Sequence, residues 1–150
     1  MSYAFDYEEP APKMIKRLGS EHDLLESELE EVERLCKEGK VRIAISLLNA
    51  IQVPILRHAV EEEAKLMRLI MKETPSESQK SVEVMRRHRK ISDFLRLDLP
   101  RLTGMKQKEA KRSIMEFVKL FREQRMEEEA VVFPQTLKAH KKASRQKQNT

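Results

Sequence analysis

Glycine occurs three times in this chain, proline six times, cysteine once and tryptophan not at all. So few turn formers exclude a protein of many short strands and hairpins. The single cysteine, Cys36, excludes an internal disulfide framework and points to a reducing, cytoplasmic compartment. No uninterrupted apolar run approaches the ~18 residues of a membrane helix. Residues 1–12 are acidic and carry no apolar core, so no secretory signal and no membrane partner are expected. Aromatic residues make up only 5% of the chain.

What is present is charge and helical periodicity. Charged residues are 37% and hydrophobic residues 39% of 150, enough to fill the core of one amphipathic helical domain. The net charge of +5 is local. Lys138, Lys141, Lys142, Arg145 and Lys147 account for all of it, and no acidic residue follows Lys138. Residues 1–137 are therefore neutral. The basic stretch has no aromatic partner for stacking on bases, so a solvated terminus is expected rather than a nucleic-acid surface.

Four amphipathic segments follow one another. The first starts near Pro12, where proline suits the first helical turn, and runs to a turn at Lys37–Lys40 that contains Gly39. Its stripe is Ile15, Leu18, His22, Leu25, Leu29, Val32 and Cys36, in steps of three and four. The second spans Val41 to Glu73, with Leu48, Ile51, Ile55, His58, Glu62, Leu66 and Leu69 inward and Pro54 inside it. The third covers Ser78 to Leu97, with Val84, His88, Ile91 and Leu95 inward. The fourth runs from Lys106 to Lys138 on Ala110, Ile114, Phe117, Phe121, Gln124, Glu128 and Val131. Short connections favour antiparallel neighbours, so the expected fold is all-α, an up-down-up-down four-helix bundle over 12–138. A flexible arm over 1–11 and a basic flexible tail over 139–150 flank it.

Each stripe is broken by polar residues: His22; His58 with Glu62; His88; Gln124 with Glu128. One histidine on an apolar face is usually a hydrogen-bonded core residue. Four interrupted helices, two of them offering carboxylates, ask for more, because a buried carboxylate is costly without a partner or a cation. His22, His58 and Gln124 lie about 15, 17 and 18 residues from the same expected end, so they share a level to within about one turn. His88 is only about 10 residues from that end, so the third helix must continue past Pro100 or residues 99–105 must descend extended. His58 and Glu62, four apart, face one centre. The run His58-Ala-Val-Glu-Glu-Glu-Ala64 is echoed by Gln124-Arg-Met-Glu-Glu-Glu-Ala130 on the diagonal helix, which sets Glu62 opposite Glu128. Glu61, Glu63, Glu127 and Glu129 fall off the stripe and read as solvated. Imidazole with carboxylate suits iron, manganese or zinc.

Glu21-His22-Asp23, His58-x-x-x-Glu62-Glu63, His88, and Glu128-Glu129 followed by Val132-Phe133-Pro134 together resemble the hemerythrin-like, HHE cation-binding family over roughly residues 12–138. The resemblance implies a bundle around a non-haem di-iron centre. It matches His22, His58 and His88 to family histidines, and Glu62 and Glu128 to bridging carboxylates. The chain departs from the pattern at Gln124 and Ser92, where the family usually offers histidines. By resemblance, one metal position is intact, with His22, His58, Glu62 and Glu128. The other keeps His88 and the Gln124 carbonyl, with Glu127 available to complete it. His140 lies beyond the stripe.

The expected function is metal binding, with one or two iron ions serving oxygen, nitric oxide or iron sensing, storage or redox response. The partners are the metal and dioxygen or another small diatomic. The alternative is a metal-free interaction bundle with a buried hydrogen-bond network at His88 and Gln124. No Ser/His/Asp arrangement, glycine-rich phosphate loop or Glu-x-x-His pair supports an enzyme.

Overall fold

The computed structural model describes residues 8–148. Most of the expected N-terminal arm lies outside the described residues. Within them there are four long helices and no strand. Helix α1 is Ala11–Lys37. Helix α2, Val41–Glu73, is continuous through Pro54 and contains a π-helical turn at Glu62–Met67. Helix α3 spans 79–98, with a π turn at Phe94–Asp98, and continues as a 3₁₀ helix over Leu99–Gly104. Helix α4 spans 107–148, with a π turn at Glu128–Val132. The third helix therefore does continue past Pro100, which resolves the mismatch in height at His88. The stretch expected as a basic tail is helical to Gln148, with Ala139 buried and Lys142 donating to the Glu73 carbonyl at 2.6 Å.

Local chemistry explains the boundaries. Pro10 is extended, and Pro12 stands in the first turn of α1, where its missing N–H costs no helical bond. The α1–α2 turn is closed by Gly39 at φ 77°, with Gly39 N–H bonded to Cys36 O at 3.1 Å and Lys40 N–H to Leu35 O at 2.8 Å. This pair of bonds needs a left-handed residue, which glycine adopts without steric cost. Gln107 donates to the Gly39 carbonyl at 2.8 Å, tying the start of α4 to this turn.

The core is layered. One apolar cluster joins Leu25–Cys36 of α1, Val41–Ile55 of α2, Ile91–Leu102 of α3 and its continuation, and Ala110–Phe121 of α4. At the other end Met14 and Leu18 pack with Leu66 and Phe133, and Met67 and Ile70 pack with Val84 and Val132. His22, His58, His88, Gln124 and Glu128 fall between these layers in every helix.

The π turns of α2 and α4 shift the inward stripe by one residue. Ile70 and Val132 are fully buried where Leu69 and Val131 were expected. A π turn adds a residue per turn, so a strict 3.6-residue projection loses register after it. Helix α2 also contains an 18-residue window of mean hydropathy 1.5, which by length and composition is enough to cross a membrane. The expectation counted uninterrupted apolar runs. The window averages Ser, Asn, Gln and Arg with strongly apolar neighbours, and a third of it is buried.

A second regularity appears in three dimensions. Buried positions of the α1–α2 hairpin recur 66 residues later in α3–α4: Leu18 with Val84, His22 with His88, Leu25 with Ile91, Leu48 with Ile114, Ile55 with Phe121 and Leu66 with Val132. The π turns of α2 and α4 begin at Glu62 and Glu128, also 66 apart. The helix pairs α1–α2 and α3–α4 thus carry matching buried positions, and His22, Glu62, His88 and Glu128 of the two pairs meet in the polar layer.

Candidate metal centre

Four side chains converge in that layer. His22 of α1, His58 and Glu62 of α2 and Glu128 of α4 each offer a ligand atom, all within 4.8 Å of one another and all buried. His22 Nε2 is 2.8 Å from Glu128 Oε2 and 3.8 Å from Glu62 Oε1. His58 Nε2 touches Glu62 Oε1 and lies 3.9 Å from Glu128 Oε2. Ligand atoms around a tetrahedral ion at ~2.1 Å stand about 3.4 Å apart, so these separations straddle the required spacing.

The histidines are aimed by their outer nitrogens. His22 Nδ1 is 3.0 Å from Glu129 Oε1, His58 Nδ1 is 3.0 Å from Glu21 Oε2, and His88 Nδ1 is 3.0 Å from Glu63 Oε1. An acceptor at Nδ1 holds a proton there, so that Nε2, once its own proton is given up, can present a lone pair to the centre, as metal-ligating histidines require. Two of these acceptors are themselves held. Arg17 Nη1 pairs with Glu21 and Glu61, each at 2.8 Å, and Arg125 Nε pairs with Glu129 at 3.1 Å. Glu63 is paired with His88 itself, and no ion pair to an arginine or lysine holds it among the described residues.

Glu63 and Glu129 correct the sequence reading, which left them to solvent. They are partly exposed, yet each orients a histidine. Glu61 is buried against Arg17. Of the four glutamates set aside, Glu127 has no tie to the centre: it pairs with Lys80 at 3.0 Å and Arg87 at 3.4 Å. The signal that could have found the supports is adjacency. Glu21 precedes His22, and Glu63 and Glu129 each follow an inward carboxylate.

His88 and Gln124 are brought to the same layer on the opposite side. His88 Nε2 is 3.0 Å from Glu128 Oε1 and 3.7 Å from Glu62 Oε2. The Gln124 amide donates to Glu128 Oε1 and to the Val84 carbonyl, both at 3.0 Å. Its own oxygen is buried without a hydrogen-bond partner. Ser92 lies on a groove of about 470 Å³ between α2 and α3, outside the centre. That groove shares Ile55, Ala59, His88 and Ile91 with an inner space of about 10 Å³ beside Gln124 and Glu128.

Electrostatics expose the tension in the centre. Burial pushes Glu62 up to about 8, reinforced by Glu128 beside it and opposed by His58 and His88. Burial also disfavours charge on Glu128, but the three imidazoles around it prevail and hold its carboxyl well below the usual range. For His58 burial opposes protonation, yet Glu62, Glu128 and Glu21 raise it to about 12. His88, likewise buried, is raised to about 10 by Glu128, Glu63 and Glu62. Protons thus occupy a cluster that a dication can take instead.

Whether a metal fits is decided by the atoms left without partners. Both oxygens of Glu62 and Nε2 of His58 are buried and make no hydrogen bond. His58 Nε2 and Glu62 Oε1 meet in close contact without the alignment of donor and acceptor, and Glu62 Oε2 lies 3.7 Å from His88 Nε2. Fully buried carboxylate oxygens with no donor are rare in folded proteins and call for an ion or water. The donor set is two imidazoles and two carboxylates, which balances a divalent ion and suits iron, manganese or zinc. Compared with known proteins, the chain matches no family model, no curated protein and no solved structure.

Proposed function

We propose that this protein is a metal-binding, hemerythrin-like domain that folds as an up-down-up-down bundle and holds one or two non-haem iron ions in its central polar layer. The observation that carries this reading is Glu62. It is fully buried, neither of its oxygens makes an aligned hydrogen bond, and the Nε2 atoms of His22, His58 and His88 surround it. Burying that carboxylate costs several kcal/mol unless a cation or proton compensates it.

The protein's own residues do definable work. Glu21, Glu63 and Glu129 hold the Nδ1 protons and orient the rings. The apolar layers above and below exclude water. The inner space of about 10 Å³ admits a species of about one water molecule's size. A bound iron supplies redox change and an affinity for small ligands, which fits sensing of oxygen or nitric oxide, iron storage or a redox response. The metal-free alternative is favoured by one observation only, the bonds from Gln124 to Glu128 and Val84. That network leaves Glu62 unsatisfied.

The test is metal content and its linkage to stability. The protein is expressed with iron, purified without a chelating resin, and assayed for metal per chain together with its near-ultraviolet and visible absorption. At least one ion per chain is expected, lost in His58→Ala. A wild type that binds no divalent metal, and melts at the same temperature with and without it, refutes the reading.

A further inference from the structure

The two hairpins repeat at an interval of 66 residues, so every residue of the centre has a counterpart, and the exceptions are informative. His22 corresponds to His88, Glu62 to Glu128, Glu63 to Glu129 and Glu61 to Glu127. The roles correspond as well. Glu129 supports His22 and Glu63 supports His88, each reaching from one hairpin to the other. Glu61 and Glu127 each pair with an arginine, Arg17 of α1 and Arg87 of α3, although these two arginines are not counterparts.

The equivalence breaks at three linked positions. His58 becomes Gln124. Glu21, the acceptor that aims His58, becomes Arg87. Arg17, which holds Glu21, becomes Glu83. The second hairpin has therefore lost a ligand, the support of that ligand and the anchor of that support. Arg87 is turned to Glu127 instead, and Glu83 to Lys80 at 3.1 Å. What stands in the ligand's place is an amide whose nitrogen donates to Glu128 and to the Val84 carbonyl and whose buried oxygen has no hydrogen-bond partner. Gln124 and His88 both lie 3.0 Å from Glu128 Oε1, while Glu128 Oε2 faces His22 at 2.8 Å.

We propose that the bundle holds a single metal ion, on His22, His58, Glu62 and Glu128, and that the symmetry-related second position is closed by hydrogen bonds from Gln124. This rests on the metal-binding reading and specifies its stoichiometry. Glu128 then serves one ion through Oε2, and its Oε1 is committed to Gln124 and His88. An ion in the second position would have to displace the Gln124 amide from Oε1 with only one imidazole, His88, in hand. His88, whose support Glu63 lacks an anchoring arginine, acts as a positioning residue for Glu128.

The experiment is an anaerobic titration of the metal-free protein with ferrous iron, followed by desalting and metal analysis, with helicity and melting recorded for each variant. Wild type is expected to retain one ion per chain. His58→Ala should weaken binding more than about 100-fold, the upper end of an outer-shell effect, whereas His88→Gln should stay within about 10–100-fold and keep one ion at saturation. The triple change Glu83→Arg, Arg87→Glu, Gln124→His copies the first hairpin's set into the second and should raise the content to two. Two ions in wild type overturn the single-ion proposal and leave the metal-binding reading standing. No ion in wild type overturns both. A folded triple variant that still holds one ion overturns the role given to Gln124 and its neighbours. If the triple variant does not fold, the paired single variants decide: an ion kept in His58→Ala and lost in His88→Gln places the metal on the wrong side for this proposal.

Discussion

Replacing Glu62 with glutamine removes the charge that a metal ion neutralises while keeping the shape of the side chain. The wild-type carboxyl is fully buried and raised to about 8. Its folded value lies above its unfolded value. The metal-free protein therefore has the full contribution of this group below about pH 4.5 and loses it as pH rises through about 8. A tenfold change in proton affinity is worth ~1.4 kcal/mol, so the loss between pH 7 and 9 is on the order of 1 kcal/mol. For a chain of this size that is about 2–4 °C in melting temperature from this group alone, and His58 and His88, whose raised values also lie above their unfolded ones, steepen the decline over the same range. Metal acts in the other direction. At a free concentration a hundred times its dissociation constant it stabilises the fold by ~2.7 kcal/mol, about 5–10 °C. Thermal melts of metal-free and iron-loaded protein at pH 6, 7 and 9 give both quantities. The wild type should show a declining metal-free curve and a metal gain that widens with pH. Glu62→Gln should show a flatter metal-free curve and almost no metal gain. Equal stabilisation by metal in wild type and variant, or a metal-free wild type indifferent to pH over this range, refutes the reasoning.

Further outcomes follow from the same geometry. Glu129→Gln and Glu21→Gln remove the charged acceptors behind His22 and His58, and each should weaken iron binding by about 10–100-fold in a competition titration with little change in helicity. Iron binding at pH 7 should release about two protons, one each from His58, raised to about 12, and Glu62, raised to about 8. Calorimetry in buffers of different ionisation enthalpy reads that number, and a value near zero contradicts it. Leu29→Ala, in the apolar layer below the centre, should cost about 2–5 kcal/mol in denaturant unfolding and leave the metal content unchanged. Gly39→Ala forces a side chain into a left-handed turn and should cost about 1 kcal/mol without altering metal affinity.

Much of the fold was legible because helical periodicity is a local property. The boundaries at Gly39 and Glu73 were set by turn chemistry that needs no tertiary partner. The interruptions at His22, His58, Glu62, His88, Gln124 and Glu128 stood out because polar groups on an apolar stripe violate the pattern that makes the stripe. All six are buried, and they share one layer. The register beyond Glu62 and Glu128 was not legible. The three-four alternation pointed to Leu69 and Val131, whereas Ile70 and Val132 are the buried residues, Ile70 following the π turn that begins at Glu62 and Val132 lying in the one that begins at Glu128.

Composition and stripe spacing by themselves determined that the described residues form helices and no strand, that four amphipathic segments share one core, and which polar residues face it. These follow from the 3.6-residue period and from the cost of exposing apolar surface. Only the tertiary structure decided which glutamate serves which histidine. Glu129 reaching His22 and Glu63 reaching His88 are contacts between residues 107 and 25 positions apart, half exposed to solvent and indistinguishable in sequence from a charged helix face. The 66-residue correspondence likewise sets Arg87 against Glu21, and the structure shows Arg87 paired with Glu127 while Glu21 aims His58. That exchange has meaning only once two hairpins are laid around one centre, because the support of a ligand is a matter of distance across helices and not of spacing along them.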